Sequence, residues 1–326
     1  MIKIPYHHRI QLDLKVIEET PGPFCMSFHF DLTPLLQSIE ASGVINPPLV
    51  VRAEEGRVEV VVGYRRIMAL KSLKKKSAEC IDLSDLGFST LDLLLLNLFD
   101  NLATRKFNDV ERGMILSRLM EYLPEEKVLK EYLPLLKIPP KEEFLHIFLG
   151  LEKLDSQIKG AVAENLLSPR AVRVLIEMDD DARASIFSLL DNLNLSFNNQ
   201  IQFIEYVIDI SNKEEISIPD LILEGPLQDI LKDKQLNNPQ KQRNIMNFLR
   251  ARRSPRLFHF EESFRRKISR MGLPKGVRID HSPFFETPDY RLEIHFKTGG
   301  ELKEKLDYLS KINGFYDIVK PPNDVD

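Results

Sequence analysis

Apolar residues recur at helical spacing through much of this chain. Leu91, Leu94, Leu95 and Leu98 stand at i, i+3, i+4 and i+7, and Ile115, Leu119 and Leu123 make a second stripe. Such stripes bury one face of a helix and predict core. From Leu91 onward the helical pattern is divided into short segments by Pro124, Pro134, Pro139-Pro140 and Pro169. Ser168-Pro169 predicts a helix start, with Ala171, Leu175 and Met178 on one face. Residues 211–240 carry Ser211-Asn212-Lys213, Ile218-Pro219-Asp220 and Asn237-Asn238-Pro239. They predict a polar, partly irregular connector, to which Leu221 to Leu231 could add a short helix.

The first hundred residues mix two periodicities. Thr33-Pro34 predicts an N-cap with proline at N1, opening a helix through Leu35, Leu36 and Ile39 that ends at Gly43. Two β-branched runs, Leu49 to Val51 and Val58 to Val62, flank a Glu54-Glu55-Gly56 turn and predict a hairpin. Gly63 ends the second run, and a basic helix begins at Arg65. At the other end, Phe260, Phe264, Ile268 and Met271 form a helical stripe closed by Gly272. Alternation at Val277 and Ile279, and at Leu292, Ile294 and Phe296, predicts two strands, and Gly299-Gly300 opens a last helix with Leu302, Leu306 and Leu309 on one side. This helix–strand–strand–helix unit has little private core and would gain most by pairing its sheet with a second copy.

Composition removes several classes. No apolar run is long enough to span a bilayer, and Met1 to Ile10 lacks the apolar centre of a signal peptide. Cys25 and Cys80 are the only cysteines, so neither a disulfide framework nor a Cys-rich zinc site is expected, and a cytoplasmic protein is. The seven histidines show no metal-ligand spacing, and no Ser/His/Cys triad pattern is present.

The net charge of −4 hides a strong segmentation. Residues 1–119 are neutral, 120–235 carry −10, 236–278 carry +10 and 279–326 carry −4. Arg243 to Arg256 holds five arginines and no acid. A solvated helix face explains that equally well as a phosphate-contacting patch does.

Two ordered stretches carry a family resemblance. Gly43-Val44-Ile45-Asn46-Pro47-Pro48-Leu49-Val50-Val51-Arg52, followed by Val61-Val62-Gly63-Tyr64-Arg65-Arg66-Ile67-Met68-Ala69, resembles the N-terminal domain of ParB-type partition proteins. Asp100-Asn101-Leu102-Ala103-Thr104-Arg105 is similar to the family's Glu-Asn-x-x-Arg box, and Leu154 to Met178 to the helices after its helix-turn-helix. The tail resembles the family's dimerisation domain. The resemblance implies an α+β, predominantly helical chain. Residues 1–100 would form a small α/β nucleotide-binding domain, and 101–210 an all-α domain of helix-turn-helix type. A connector with the basic segment would occupy 211–257, and a small α-β-β-α dimerisation domain 258–326.

A glycine between strand and helix lets backbone approach a phosphate at a helix N-terminus, and arginines add charge-assisted contacts. The resemblance therefore implies CTP with Mg²⁺, held by Gly43, Asn46, Gly63, Tyr64, Arg65, Arg66, Asn101 and Arg105, with Asp100 as catalytic candidate and metal ligand. On the residues alone, Arg65 and Arg66 could instead pair with surface carboxylates such as Glu59, and Asn101 could be a helix-terminal cap. Tyr64 replaces the family's acid and Thr104 its arginine, so at most a weak CTPase is expected. Arg105, one place late, turns by about 100° on a helix and can substitute only if the chain bulges or lies outside the helix.

A reading helix is expected from Pro139 or Pro140 to about Leu151, with Pro134 inside the preceding turn. Its Glu142 and Glu143 suit the helix dipole but would face a polyanion, so a helix kept for packing or protein contacts is the alternative. DNA contacts are expected from Lys137, Lys141, Arg170, Arg173, Arg243, Arg250, Arg252, Arg253, Arg256, Arg265 and Arg266. The implied function is a CTP-responsive dimeric clamp on DNA in chromosome or plasmid partition, nucleoid-associated, with a ParA-like ATPase as a further partner. The alternatives are an interaction adaptor without nucleotide or operator function, and a nuclease or phosphotransferase on the same fold.

Overall fold

The first ninety residues alternate helix and strand, and the larger of the two sheets is built there. The structure, a computed structural model, describes residues 9–53, 56–282, 287 and 289–318. The chain divides into two units, residues 1–178 and 179–326. In the first, β1 (Arg9–Asp13), α1 (Thr33–Ser42), β2 (Leu49–Arg52), β3 (Val58–Val62), α2 (Tyr64–Ser72) and β4 (Ser77–Asp82) give a four-stranded sheet in the order β1-β4-β2-β3. β2 lies parallel to β4, and the other two pairs are antiparallel. The expected hairpin is the β2–β3 pair; Glu54 and Glu55 of its turn lie outside the described residues.

Strand alternation sends neighbouring side chains to opposite faces. Val60 and Cys80 join Val50, Ile39, Ile67 and Leu70 in the core under α1 and α2. Val61 and Ile81 enter the core on the other side, with Leu94, Leu98, Ile115 and Leu119. One sheet thus serves two cores. Thr33 is not the N-cap expected of it. It is the first helical residue, its N–H taken by Asp31 Oδ1 at 2.8 Å, and Leu32 caps without a side-chain bond. An aspartate two residues earlier does what a threonine hydroxyl would have done.

Helices α3 (Thr90–Thr104) and α4 (Asp109–Met120) each begin with a reciprocal capping box, Ser89 with Asp92 and Asn108 with Glu111. A helical stretch follows as α5 (Glu125–Lys127), a π-turn (Val128–Tyr132) and α6 (Leu133–Leu135). Pro134, expected in the turn, sits inside this last helical segment. Proline removes a donor and crowds the carbonyl four residues back, and the wider π-turn just before it accommodates that. After Lys137, in the left-handed region at φ 61°, come α7 (Glu142–Gly150), α8 (Ser156–Ala163) and α9 (Pro169–Glu177).

The second unit contains α10 (Asp180–Leu193), α11 (Phe197–Glu214), α12 (Ile218–Leu223), α13 (Gly225–Lys232), α14 (Asn238–Arg253) and α15 (Pro255–Arg270). A hairpin of β5 (Val277–His281) and β6 (Tyr290–Ile294) and then α16 (Gly299–Leu309) complete it. The expected connector at 211–240 is largely helical, and Leu221, Ile222 and Leu227 are buried. Pro219 and Pro226 lie in first helical turns, where the missing N–H costs nothing, so these prolines start helices rather than interrupt them. The architecture is the expected one: a small α/β region, a helical middle and a terminal helix–strand–strand–helix. Phe296 falls beyond β6 and is exposed. No helix among the described residues is long and apolar enough to cross a membrane.

Gly113 lets α4 lie against α7: a Cβ there would stand 2.5 Å from the Phe148 carbonyl oxygen. Gly113→Ala should therefore destabilise the protein by about 1–3 kcal/mol through overpacking. Denaturant unfolding measures this, and an unchanged midpoint would contradict the close approach.

Candidate functional site

Three stretches far apart in sequence wall one cavity of about 340 Å³ in the first unit. Gly43 and Asn46 come from the loop after α1, Gly63 to Arg66 from the β3–α2 junction, and Asp100, Asn101, Thr104 and Arg105 from the end of α3. Every residue expected to bind nucleotide lines it, together with Asp100. Gly63 caps α2 in the left-handed region at φ 96° and offers no side chain to the first-turn N–H groups. Arg66 N–H bonds the Gly63 carbonyl at 2.9 Å, and helix geometry leaves the N–H groups of Tyr64 and Arg65 without an intrahelical partner at the positive end of the helix dipole.

The arginines are held internally, though not by Glu59. Arg65 donates from Nη2 to Glu111 Oε1 (2.7 Å) and from Nε to Ser27 Oγ (3.1 Å), with its guanidinium 4.7 Å over the Phe30 ring. Arg66 donates to the Asn46 carbonyl, and its Nη2 stands 3.8 Å from Asp100 Oδ2. Arg105 meets the condition set by its late position: it is the C-cap of α3, extended at φ −153°, outside the helix. It turns back to Asn101 Oδ1 (2.7 Å), Glu111 Oε2 (2.5 Å), the Met26 carbonyl (2.6 Å) and Ser27 Oγ (3.2 Å). Asn101 is therefore no terminal cap; it links Arg105 to Asn97, to whose Oδ1 it donates at 2.6 Å.

Glu111, Ser27 and Asn97 were not singled out in the sequence. Glu111 is 1% exposed and also accepts the N–H groups of Phe28 (3.1 Å) and Asn108 (3.1 Å). The Asn108–Glu111 spacing is a capping-box signal for a helix start, and nothing in it announces two arginine partners. Side chains, rather than strand pairing, satisfy the buried segment Phe24–Phe28. Asn97 takes the Phe24 carbonyl, Arg118 that of Cys25, Arg105 that of Met26 and Asn108 that of Phe28.

Burial, and then Arg105 beside it, push the Arg65 guanidinium below its ordinary value, and Glu111 opposes this. Burial lowers Arg66 likewise against the pull of Asp100. The Tyr64 hydroxyl donates to the Glu19 carbonyl at 2.6 Å, and burial raises it. Three arginines against Glu111 and Asp100 leave the wall with one net positive charge. Burial pushes both thiols up, Cys80 to about 11, so neither supplies a thiolate near neutral pH. No group of three metal-capable side chains occurs among the described residues.

The basic candidates sort differently. Arg250 pairs with buried Glu261, Arg252 with Glu214 (2.5 Å) and Glu224, and Arg253 with Asp209 (2.6 Å) while lying over Tyr206. Glu214 and Glu224 raise Arg252 above its ordinary value. These three arginines hold the second unit together. Arg243 and Arg256 are exposed, as are Arg265 and Arg266, which share Glu262. In the first unit Lys137, Lys141 and Arg170 are exposed, whereas Arg173 pairs with Glu143 at 2.5 Å. That pair ties α9 to one of the two glutamates on the first turn of α7.

Residues 9–87 match the model of the ParB N-terminal domain. A nucleoid occlusion protein of Halalkalibacterium halodurans is 26% identical over 174 residues, covering 52% of this chain and 58% of that protein. Probable chromosome-partitioning proteins ParB of Helicobacter pylori and Chlamydia muridarum are 24% and 27% identical, over 57% and 58% of this chain and 62% and 67% of theirs. The chain spans about three fifths of the length of these relatives. Two solved structures of C-terminally truncated ParB from Caulobacter crescentus are also similar. The complex with CTP-gamma-S is 19% identical, covers 53% of this chain and 93% of that one, and has a TM-score of 0.26. For the complex with the centromeric parS site these values are 15%, 59%, 96% and 0.32. TM-scores this low assign no element of this chain to a counterpart in either structure.

A Cβ at Gly63 would meet Pro48 Cα and the Arg66 guanidinium at 3.2 Å, in backbone that L-residues rarely adopt. Gly63→Ala should cost about 1–3 kcal/mol. Chemical denaturation with full stability retained would contradict the strained junction.

Proposed function

We propose that this chain is a ParB-type DNA-binding protein whose N-terminal cavity takes CTP with Mg²⁺, acting in chromosome or plasmid partition or a related regulatory task. The observation that carries the nucleotide half is the meeting of residues 43–46, 63–66 and 100–105 around one cavity, with the first two stretches inside the matched domain. The first turn of α2 and the guanidiniums of Arg65 and Arg66 suit phosphate oxygens. Asp100 is the one carboxylate lining the cavity, which fits a magnesium ion held mostly by substrate phosphates and water. That ion would supply charge neutralisation between the phosphates and Asp100. Arg105 is engaged by four internal acceptors and Thr104 occupies the place of the family's arginine, so binding without appreciable hydrolysis is the expected behaviour.

Exposed cations on α15 support a sequence-independent DNA contact. Arg256, Arg266 and Arg270 recur at spacings that keep them on one side of the helix, with Arg265 about 100° round from Arg266. The β5–β6 hairpin supports dimer formation through residues 258–326. It has only two strands, and Leu292, Phe296, Leu306 and Tyr308 around it are exposed. A ParA-like ATPase remains the proposed protein partner.

Thermal shift with CTP, ATP, GTP and UTP in Mg²⁺ tests the nucleotide half. A ligand at about 100 times its Kd that binds only the folded state adds ~2.7 kcal/mol. CTP should raise Tm most, and a flat response to all four would refute this half. For DNA, changing Arg256, Arg265, Arg266 and Arg270 together to Ala should flatten the slope of log K against log salt by about 3–4. An unchanged slope would remove α15 as the contacting surface.

A further inference from the structure

Two guanidiniums of the cavity wall share one buried carboxylate behind it, and their remaining donors are not in the same state. Arg105 has no nitrogen left over: Nε goes to Asn101, Nη1 to Glu111, and Nη2 to Met26 and Ser27. Arg65 is gripped at Nε by Ser27 and at Nη2 by Glu111, and its Nη1 is not taken up by any described residue. Arg65 lines the cavity. A carboxylate that accepts from both arginines and from two backbone N–H groups fixes where that nitrogen and its two N–H groups lie.

We propose that Glu111 is a positioning residue of this cavity: it holds Arg65 against the repulsion of Arg105 and so sets how strongly the site responds to the phosphates of its ligand. The proposal rests on the nucleotide reading above and adds to it a residue outside the matched domain, which ends at position 87. Arg105 becomes a structural clamp, whereas Arg65 and Arg66 make the ligand contacts. The charge logic is specific. A carboxylate so placed lowers the net positive charge of the wall, so its bare removal would strengthen anion attraction. Its geometric role runs the other way, because two like charges relieved of their shared partner separate.

Glu111→Gln separates the two effects. Glutamine also serves at the third position of a capping box, so the start of α4 is preserved. Its amide nitrogen, however, must face one pair of the four donors that Glu111 accepts. The affinities of the wild-type chain and Glu111→Gln are measured by calorimetry for CMP, CDP and CTP with Mg²⁺, and for cytidine by NMR titration. The expected result is a loss of about tenfold or more for CTP, shrinking with each phosphate removed, with cytidine affected by no more than about twofold. Ser27→Ala removes the second anchor of Arg65 with a smaller change and should give the same graded pattern at lower amplitude. Unchanged or tighter CTP binding in Glu111→Gln would overturn the positioning role. An equal loss across the series, cytidine included, would reduce Glu111 to a stabilising residue. A wild-type chain that binds none of the four refutes the nucleotide reading itself, and this proposal with it.

Discussion

A buried carboxylate is tolerated only where cations and hydrogen-bond donors replace the water it has lost. Around Glu111 that requirement is met by groups from four places: Arg65 on α2, Arg105 at the end of α3, Asn108 at the start of α4, and the backbone of Phe28. Each carries a further obligation. Arg105 and Asn108 also hold the carbonyls of Met26 and Phe28, so a buried segment outside the sheet is satisfied by the same network. The cavity wall, the α3–α4 joint and the Phe24–Phe28 segment therefore stand or fall together.

This arrangement explains how three neighbouring arginines can be ordered in one wall. Arginines beside one another repel, and without an internal acceptor they would be poorly placed to meet a ligand. Here one carboxylate orders two of them, and a backbone carbonyl and Asp100 orient the third. The cost is a reduced net charge.

Much of the cavity was legible in the sequence because its parts are local. A glycine between a β-branched run and a basic helix, and a second glycine after an apolar stripe, each have a conformational reason that can be read without a fold. Gly63 and Gly43 both adopt positive φ. What could not be read was long-range. Glu111 is the third residue of a capping box, a local role, but its two arginines lie 46 and 6 positions away. The basic segment shows the opposite failure. Arg250, Arg252 and Arg253 looked like a phosphate patch because their acids, Glu261, Glu214, Glu224 and Asp209, are scattered along the chain and only folding brings them near. Pro219 misled in a third way, since proline punctuates a sequence equally when it begins a helix and when it breaks one.

Hydrogen exchange followed by mass spectrometry, with and without CTP and Mg²⁺, tests most directly whether CTP enters between the Gly63 junction and the end of α3. CTP bound there should slow exchange at residues 43–46, 63–67 and 100–108, around the cavity and the Glu111 network, and not elsewhere. Protection elsewhere in the chain with no change at these three stretches would contradict that placement.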